Sequence, residues 1–161
     1  MSSVKIIYQR TDHLADFASI FVEVAVPRVT ALTARGVAIA QRNAPVDRGL
    51  FRSSIADRVD VVESVQVVGT VFSQADPVVV NVIEEGRAPG TFPRLDAIRG
   101  WVARKLAPIP KMLGRVAYRV GRKIRARGIP GKHVFAKTNE SLQPEIARTG
   151  DEIAAEVSAR L

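Results

Sequence analysis

AIRGWVARKLAPIPKMLGRVAYRVGRKIRARGIPGKHVFAKTN, residues 97–139, contains twelve Lys or Arg and no Asp or Glu. The whole chain of 161 residues has 24 basic and 16 acidic side chains, so the remainder holds 12 basic against 16 acidic and the basicity is local. At about 100° per residue, Leu113, Val116, Ala117, Val120 and Ile124 share one side of a helix while Lys111, Arg115, Arg119 and Arg122 share the other. The spacing predicts a helix over 111–127 with a basic outer face. Gly128 stops it, and IPGKHVF (129–135) follows as a loop or short extended piece.

Working upstream, PRLDAIRGWVARK (93–105) reads as a short helix with Leu95, Ile98 and Val102 on one face, closed by APIP (107–110). GRAPGTFP (86–93) has two glycines and two prolines in eight residues and reads as a loop. Asp76 and Pro77 form the N-cap and first position of a helix over 77–86, although its valines also suit a strand. Before it, SIADRVDVV (54–62) and SVQVVGTVF (64–72) alternate apolar and polar positions and predict an antiparallel hairpin. Gly69 inside the second run marks a bulge or a close backbone approach. NAPVDRGLFRSSI (43–55) supplies a turn leading into the first strand.

A long amphipathic helix comes first, capped by Thr11 or Asp12. It carries Leu14, Phe17, Ala18, Phe21, Ala25, Leu32, Gly36 and Ile39 on one face, with a kink or break expected at Pro27. Val4–Tyr8 reads as a short strand or an arm. At the other end, Pro144 is expected to open a last helix with Ile146, Ile153 and Val157 inward and Glu156 paired to Arg160. The fold class is α+β in one domain spanning 1–161. It comprises a long N-terminal helix, an antiparallel hairpin or small sheet, and several C-terminal helices including the basic amphipathic one. An extended arm over 1–10 and a loop over 86–93 complete it.

With no cysteine in the chain, disulfides, thiolate metal sites and thiol nucleophiles are excluded. No uninterrupted apolar run reaches the roughly 18–20 residues that cross a bilayer, and no signal-peptide pattern opens the chain, which therefore reads as cytosolic and soluble. Gly131-Lys132 fails as a phosphate loop because Ala126 and His133 stand where Gly and Ser or Thr are required. His13 and His133 have no ligand spacing around them. Glu84 and Glu85 are adjacent and diverge on a helix, which suits a turn cap or a contact with a basic neighbour better than acid/base chemistry. Ser53 and Ser54 lack a nucleophile elbow. The expectation is a protein without catalysis, metal or cofactor.

A solvated charged face ordinarily mixes Glu with Lys, so a long acid-free segment implies an anionic partner: DNA phosphate or the acidic face of another subunit. Trp101, Tyr118 and Phe135 are the aromatics of the segment, few for base stacking. The candidate surface is Arg104, Lys105, Lys111, Arg115, Arg119, Arg122, Lys123, Arg125, Arg127 and Lys132. Pro45, Asp47, Gly49, Gly86, Gly90, Gly128 and Gly131 are the candidate structural turns.

AQRNAPVDRGLFRSSI (40–55), VIEEGRAPGTFP (82–93), AIRGWVARK (97–105) and AYRVGRKIRARGIPGKHVF (117–135) occur in an order that resembles the tail-component proteins of long-tailed phages, the neck, minor-tail or tail-completion family typified by coliphage Hong Kong 97. The resemblance spans about residues 30–140. Members show Ala-Pro-Val-Asp-Thr-Gly followed by Leu-Arg. Here Arg48 stands for the Thr and Phe51 for the Leu, and Glu85-Gly86-Arg87 departs from the Glu-aromatic-Gly-Thr pattern. The resemblance implies a virion structural protein at the head-to-tail junction, assembled in the host cytoplasm as a homohexameric ring. It also implies partners among tail terminator, head-closure or tail-tube proteins, with non-specific contact to packaged DNA and none to membrane.

Overall fold

The computed structural model describes residues 13–63, 66–106 and 109–161, with side chains from Asp16 onward. The arm or strand expected within 1–10, the cap at Thr11 or Asp12, and residues 107 and 108 lie outside the described residues. The helices are α1 (His13–Asn43), α2 (Leu50–Ser53), α3 (Pro77–Glu84), α4 (Leu95–Leu106), α5 (Leu113–Arg127) and α6 (Val134–Arg160). The strands are β1 (Ile55–Val62), β2 (Gln66–Ser73), β3 (Gly86–Arg87) and β4 (Ile129–Pro130), and a 3₁₀ turn over Pro110–Met112 leads into α5. β1 and β2 form one antiparallel two-stranded sheet, β3 and β4 another. By contact the chain divides into two compact units. One comprises residues up to Ala34, Arg58–Thr70 and Pro144–Leu161; the other comprises Arg35–Asp57 and Val71–Gln143.

In the first unit, α1 runs through Pro27 as one helix, so of the kink or break expected there the break does not occur. A missing N–H removes one bond from a 31-residue element. Side-chain donors also gather on the same turn: Arg28 Nη1 donates to the Val24 carbonyl at 3.0 Å and Thr30 Oγ1 to the Val26 carbonyl at 2.8 Å. Val24, Ala25 and Thr33 are buried, whereas Phe17, expected inward, is 37% exposed. The expectation of no membrane-length apolar segment is corrected: within Asp16–Asn43 an 18-residue window has mean hydropathy 1.5, enough in length and composition to cross a membrane. Counting uninterrupted apolar residues stops at Glu23 and Arg28, and a window average does not. Both charges are paired with α6, Arg28 to Glu156 and Glu23 to Arg160 at 3.1 Å, and the expected Glu156–Arg160 pair is present. Gly69 is the close approach its position in β2 suggested, since a Cβ there would stand 2.6 Å from Thr33 Cγ2 and 2.7 Å from Val29 Cγ1.

In the second unit, Ala40, Ala44, Phe51, Ile55 and Val134 form one core cluster, with Val80, Ile83 and Phe135 packed against it. Phe51 and Phe135 meet edge to face at 6.5 Å. The segment expected as turn then strand contains the extra helical turn α2, entered through Gly49 at φ +80°. The choice between strand and helix at 77–86 resolves to α3, because Asp76 Oδ1 accepts from the Val78 N–H at 2.8 Å and Pro77 sits at the first turn.

Two boundaries differ from expectation. Residues 86 and 87 of the expected loop form β3, whose register against β4 pairs Gly86 with Pro130 and Arg87 with Ile129. Glycine is what permits this approach: at Gly86 (φ +87°) and Gly128 (φ +70°) a Cβ would lie 2.3 and 2.1 Å from the carbonyl oxygens of Ile129 and Arg87. The last helix begins at Val134, not at Pro144, which lies inside α6. The missing signal is a cap from far away in sequence. Glu84 accepts from the Phe135 N–H at 3.1 Å and the Ala136 N–H at 2.9 Å, satisfying two donors of the first turn of α6. Ile146, expected inward, is 40% exposed, while Leu142 and Val157 are buried.

Candidate functional site

The basic helix is held by its apolar side. Ile98 and Val102 of α4 and Ala117 of α5 form a buried cluster, and Leu113, Val116, Val120 and Ile124 pack against it, the same five α5 positions that periodicity selected. Behind α5 the loop after β3 is fastened at two points. The Gly90 N–H donates to the Arg125 carbonyl at 2.7 Å, and the Phe92 ring lies so close over Gly121 that a Cβ there would stand 2.5 Å from Phe92 Cζ. Phe92 in turn meets Tyr118, ring centroids 5.7 Å apart.

Anchored this way, α5 turns Arg115, Arg119, Arg122, Lys123, Arg125 and Arg127 to solvent, with Lys111 and Lys132 exposed at its two ends. Among the described residues, none of these eight takes part in an ion pair. Tyr118, 52% exposed, stands among them. With Gly90, Phe92, Arg122, Arg125 and Ala126 it lines a shallow cleft of about 540 Å³. Arg104 and Lys105 are placed elsewhere. Arg104 Nη2 meets Asp47 Oδ2 at 2.5 Å, and Lys105 Nζ donates to the Val46 carbonyl at 3.1 Å, tying α4 to the 43–49 turn. The Arg104 hydrogen bond, reinforced by its charge, holds the Asp47 carboxyl below its ordinary range. Glu156 is lowered likewise, first by the hydrogen bond from Arg28 and then by that from Arg160.

Charge is segregated between the two units. The unit containing α5 has 18 basic and 7 acidic residues, the other 6 and 9, which gives +11 and −3 within the chain's +8. Repulsion among the uncompensated cations of α5 disfavours leaving them without counter-charge, so the face is suited to a polyanion or an acidic protein surface.

Beside the basic face lies an apolar groove that sequence reading missed. Val78, Val79 and Val82 of α3, Trp101 of α4, and Val120 and Ile124 of α5 line about 880 Å³. Val78 is 71% exposed and Val79 47%, because Val80 and Ile83 are the α3 residues that face the core. The groove continues past Trp101 into a second hollow with Leu106, Lys123 and Arg127 on its walls. The lining of the groove itself is mostly apolar, with Asp76, Arg87 and Arg94 as the charged residues.

Among the described residues, no group of three or more His, Asp or Glu is placed to hold a metal. Comparison with protein-family models found no match, and comparisons with curated proteins and with solved structures found none either.

Proposed function

We propose that this chain is a structural subunit of a phage virion. In this reading it assembles into a ring, expected to be hexameric, at the head-to-tail junction and helps join tail to head. The observation that carries the reading is the outer face of α5, a row of exposed cations without an ion-pair partner among the described residues, in a chain whose other unit is net acidic. A closed ring needs two different patches on each subunit, and opposite charge on two parts of one chain supplies them. The biological setting, with tail terminator, head-closure or tail-tube proteins as neighbours, is what the resemblance of the ordered motifs to neck and tail-completion proteins implies. Particles produced without this chain should accumulate as separate filled heads and tails in negative-stain microscopy; joined, infectious particles would end the proposal.

A second reading, non-specific binding to nucleic acid, is favoured by one observation: Tyr118 and Phe92 lie beside Arg122 and Arg125, a stacking surface next to phosphate-binding cations. It predicts affinity for single strands that falls with salt at a log-log slope of about −0.7 per phosphate contacted. Arg115→Glu, Arg119→Glu and Arg122→Glu together should remove that binding. Unchanged binding by the triple variant would dispose of this reading.

A further inference from the structure

We propose that the cleft between α5 and the loop after β3 holds one nucleotide of a single strand, its base stacked on Tyr118 and the phosphates on either side bound by arginines of α5. The proposal rests on the nucleic-acid reading above and gives it a site, a ligand class and a residue that senses the base.

The cleft is built by the loop and α5 together. The Arg87 side chain donates to the Thr91 carbonyl at 3.2 Å and the Gly90 N–H to the Arg125 carbonyl at 2.7 Å, which pins residues 87–92 along the C-terminal half of α5. Phe92 is thereby seated on Gly121, where a Cβ would come within 2.5 Å of the ring. From that seat it braces Tyr118, with centroids 5.7 Å apart and planes tilted by 33°. Tyr118 remains 52% exposed. The opening of about 540 Å³ falls within the range of small-molecule sites, and no carboxylate lines it.

Positions along α5 decide between ligands. Arg115, Tyr118, Arg122 and Arg125 stand at i−3, i, i+4 and i+7 about the tyrosine, on one face of the helix. At 1.5 Å per residue, Arg115 lies about 4.5 Å before Tyr118 along the axis and Arg122 about 6 Å after it. An aromatic face with a cation on each side matches a strand, in which a phosphate precedes and follows each base. A single phosphate ester or carboxylate would use one side only. Paired bases are stacked on their neighbours and offer no free face, so the site prefers a single strand to a duplex. A surface working by charge alone gains nothing from a half-exposed tyrosine braced by a second ring.

Fluorescence anisotropy of the full chain tests the assignment with a short labelled DNA strand, a strand of equal length and charge lacking bases, and the matching duplex. Wild type should bind the strand with bases at least about fivefold tighter than the abasic one. Tyr118→Ala should weaken binding of the first about 5- to 100-fold, the worth of one stacked base, and leave the abasic strand unchanged. Tyr118→Leu keeps an apolar contact with Phe92 and should behave like Tyr118→Ala, whereas Tyr118→Phe keeps the ring and should bind as wild type. Arg122→Gln with Arg125→Gln should weaken both strands and reduce the log-log salt slope by about 1.4, two phosphates at about 0.7 each. Free nucleoside monophosphate should displace the strand at a concentration where inorganic phosphate does not. Strand binding indifferent to Tyr118 or to the presence of bases, or displacement by phosphate as effective as by the nucleotide, would overturn the site and leave the nucleic-acid reading in place. A chain that binds no strand at all would overturn both.

Discussion

Gly128→Ala should be among the most damaging single-methyl additions in the molecule. Gly128 ends α5 at φ +70° and ψ −160°, a region essentially reserved for glycine. Holding alanine there costs about 1–3 kcal/mol. Its Cβ would also stand 2.1 Å from the Arg87 carbonyl oxygen and 3.1 Å from the Pro89 nitrogen, both backbone atoms with no rotamer to yield. The β3–β4 pair must then separate, and each backbone hydrogen bond lost adds about 0.5–1.5 kcal/mol. The total is about 3 kcal/mol, a fall in Tm of about 6–12 °C for a chain of this size. Two other glycines calibrate the result. Gly90→Ala has positive φ (+123°) with nothing within 4 Å, so it should show the conformational cost alone. Gly150→Ala is helical and open, and should gain about 0.8–1 kcal/mol from helix propensity, raising Tm by about 2–4 °C. Thermal unfolding followed by circular dichroism should therefore rank stability as Gly150→Ala, wild type, Gly90→Ala, Gly128→Ala. Gly128→Ala as stable as Gly90→Ala would mean that β3 and β4 do not approach as described.

Three further outcomes follow from single contacts. Glu84→Ala removes both acceptors at the start of α6 and should cost about 1–2 kcal/mol in urea unfolding, the range of lost helix caps; no change in midpoint would remove Glu84 from that role. Gly121→Ala should destabilise by displacing the Phe92 ring, and adding Phe92→Ala should relieve most of that clash, so the two effects in a double-mutant cycle must be non-additive. Asp47 and Glu156 have lowered pKa values, so each contributes stability that is fully present above its ordinary value of 3.8 or 4.5 and is lost as pH falls through its depressed value in the fold. Asp47→Asn and Glu156→Gln should each flatten the acid limb of a stability–pH curve, and an unaltered limb would show that these ion pairs add nothing.

What could be read from sequence was what repeats locally. α5 was legible because its apolar and basic residues alternate at the helical period over fifteen residues, and the same five apolar positions are the ones packed inward. The hairpin and the Asp76-Pro77 start of α3 were legible because a strand alternation and a cap are contained in a few consecutive residues. The start of α6 was not, since the carboxylate that caps it lies 51 residues upstream and Pro144 offered a plausible local start. The β3–β4 pair was hidden because two residues on each side leave no periodicity, although the glycines that permit it were visible as turns. Arg104 and Lys105 are indistinguishable in sequence from the α5 cations, and only the placement of the 43–49 turn separates them. The groove was missed for a similar reason: α3 is valine-rich on every side, so sequence does not tell Val79 from Val80.

If the cations of α5 form an assembly surface, reversing their charge must abolish the ring. Native mass spectrometry of the wild-type chain beside the variant carrying Arg115→Glu, Arg119→Glu and Arg122→Glu tests it most directly. Wild type should give a closed ring of fixed subunit number, weakened by added salt, and the triple variant a folded monomer. A wild-type monomer at all concentrations, or a triple variant that forms the same ring, would contradict it.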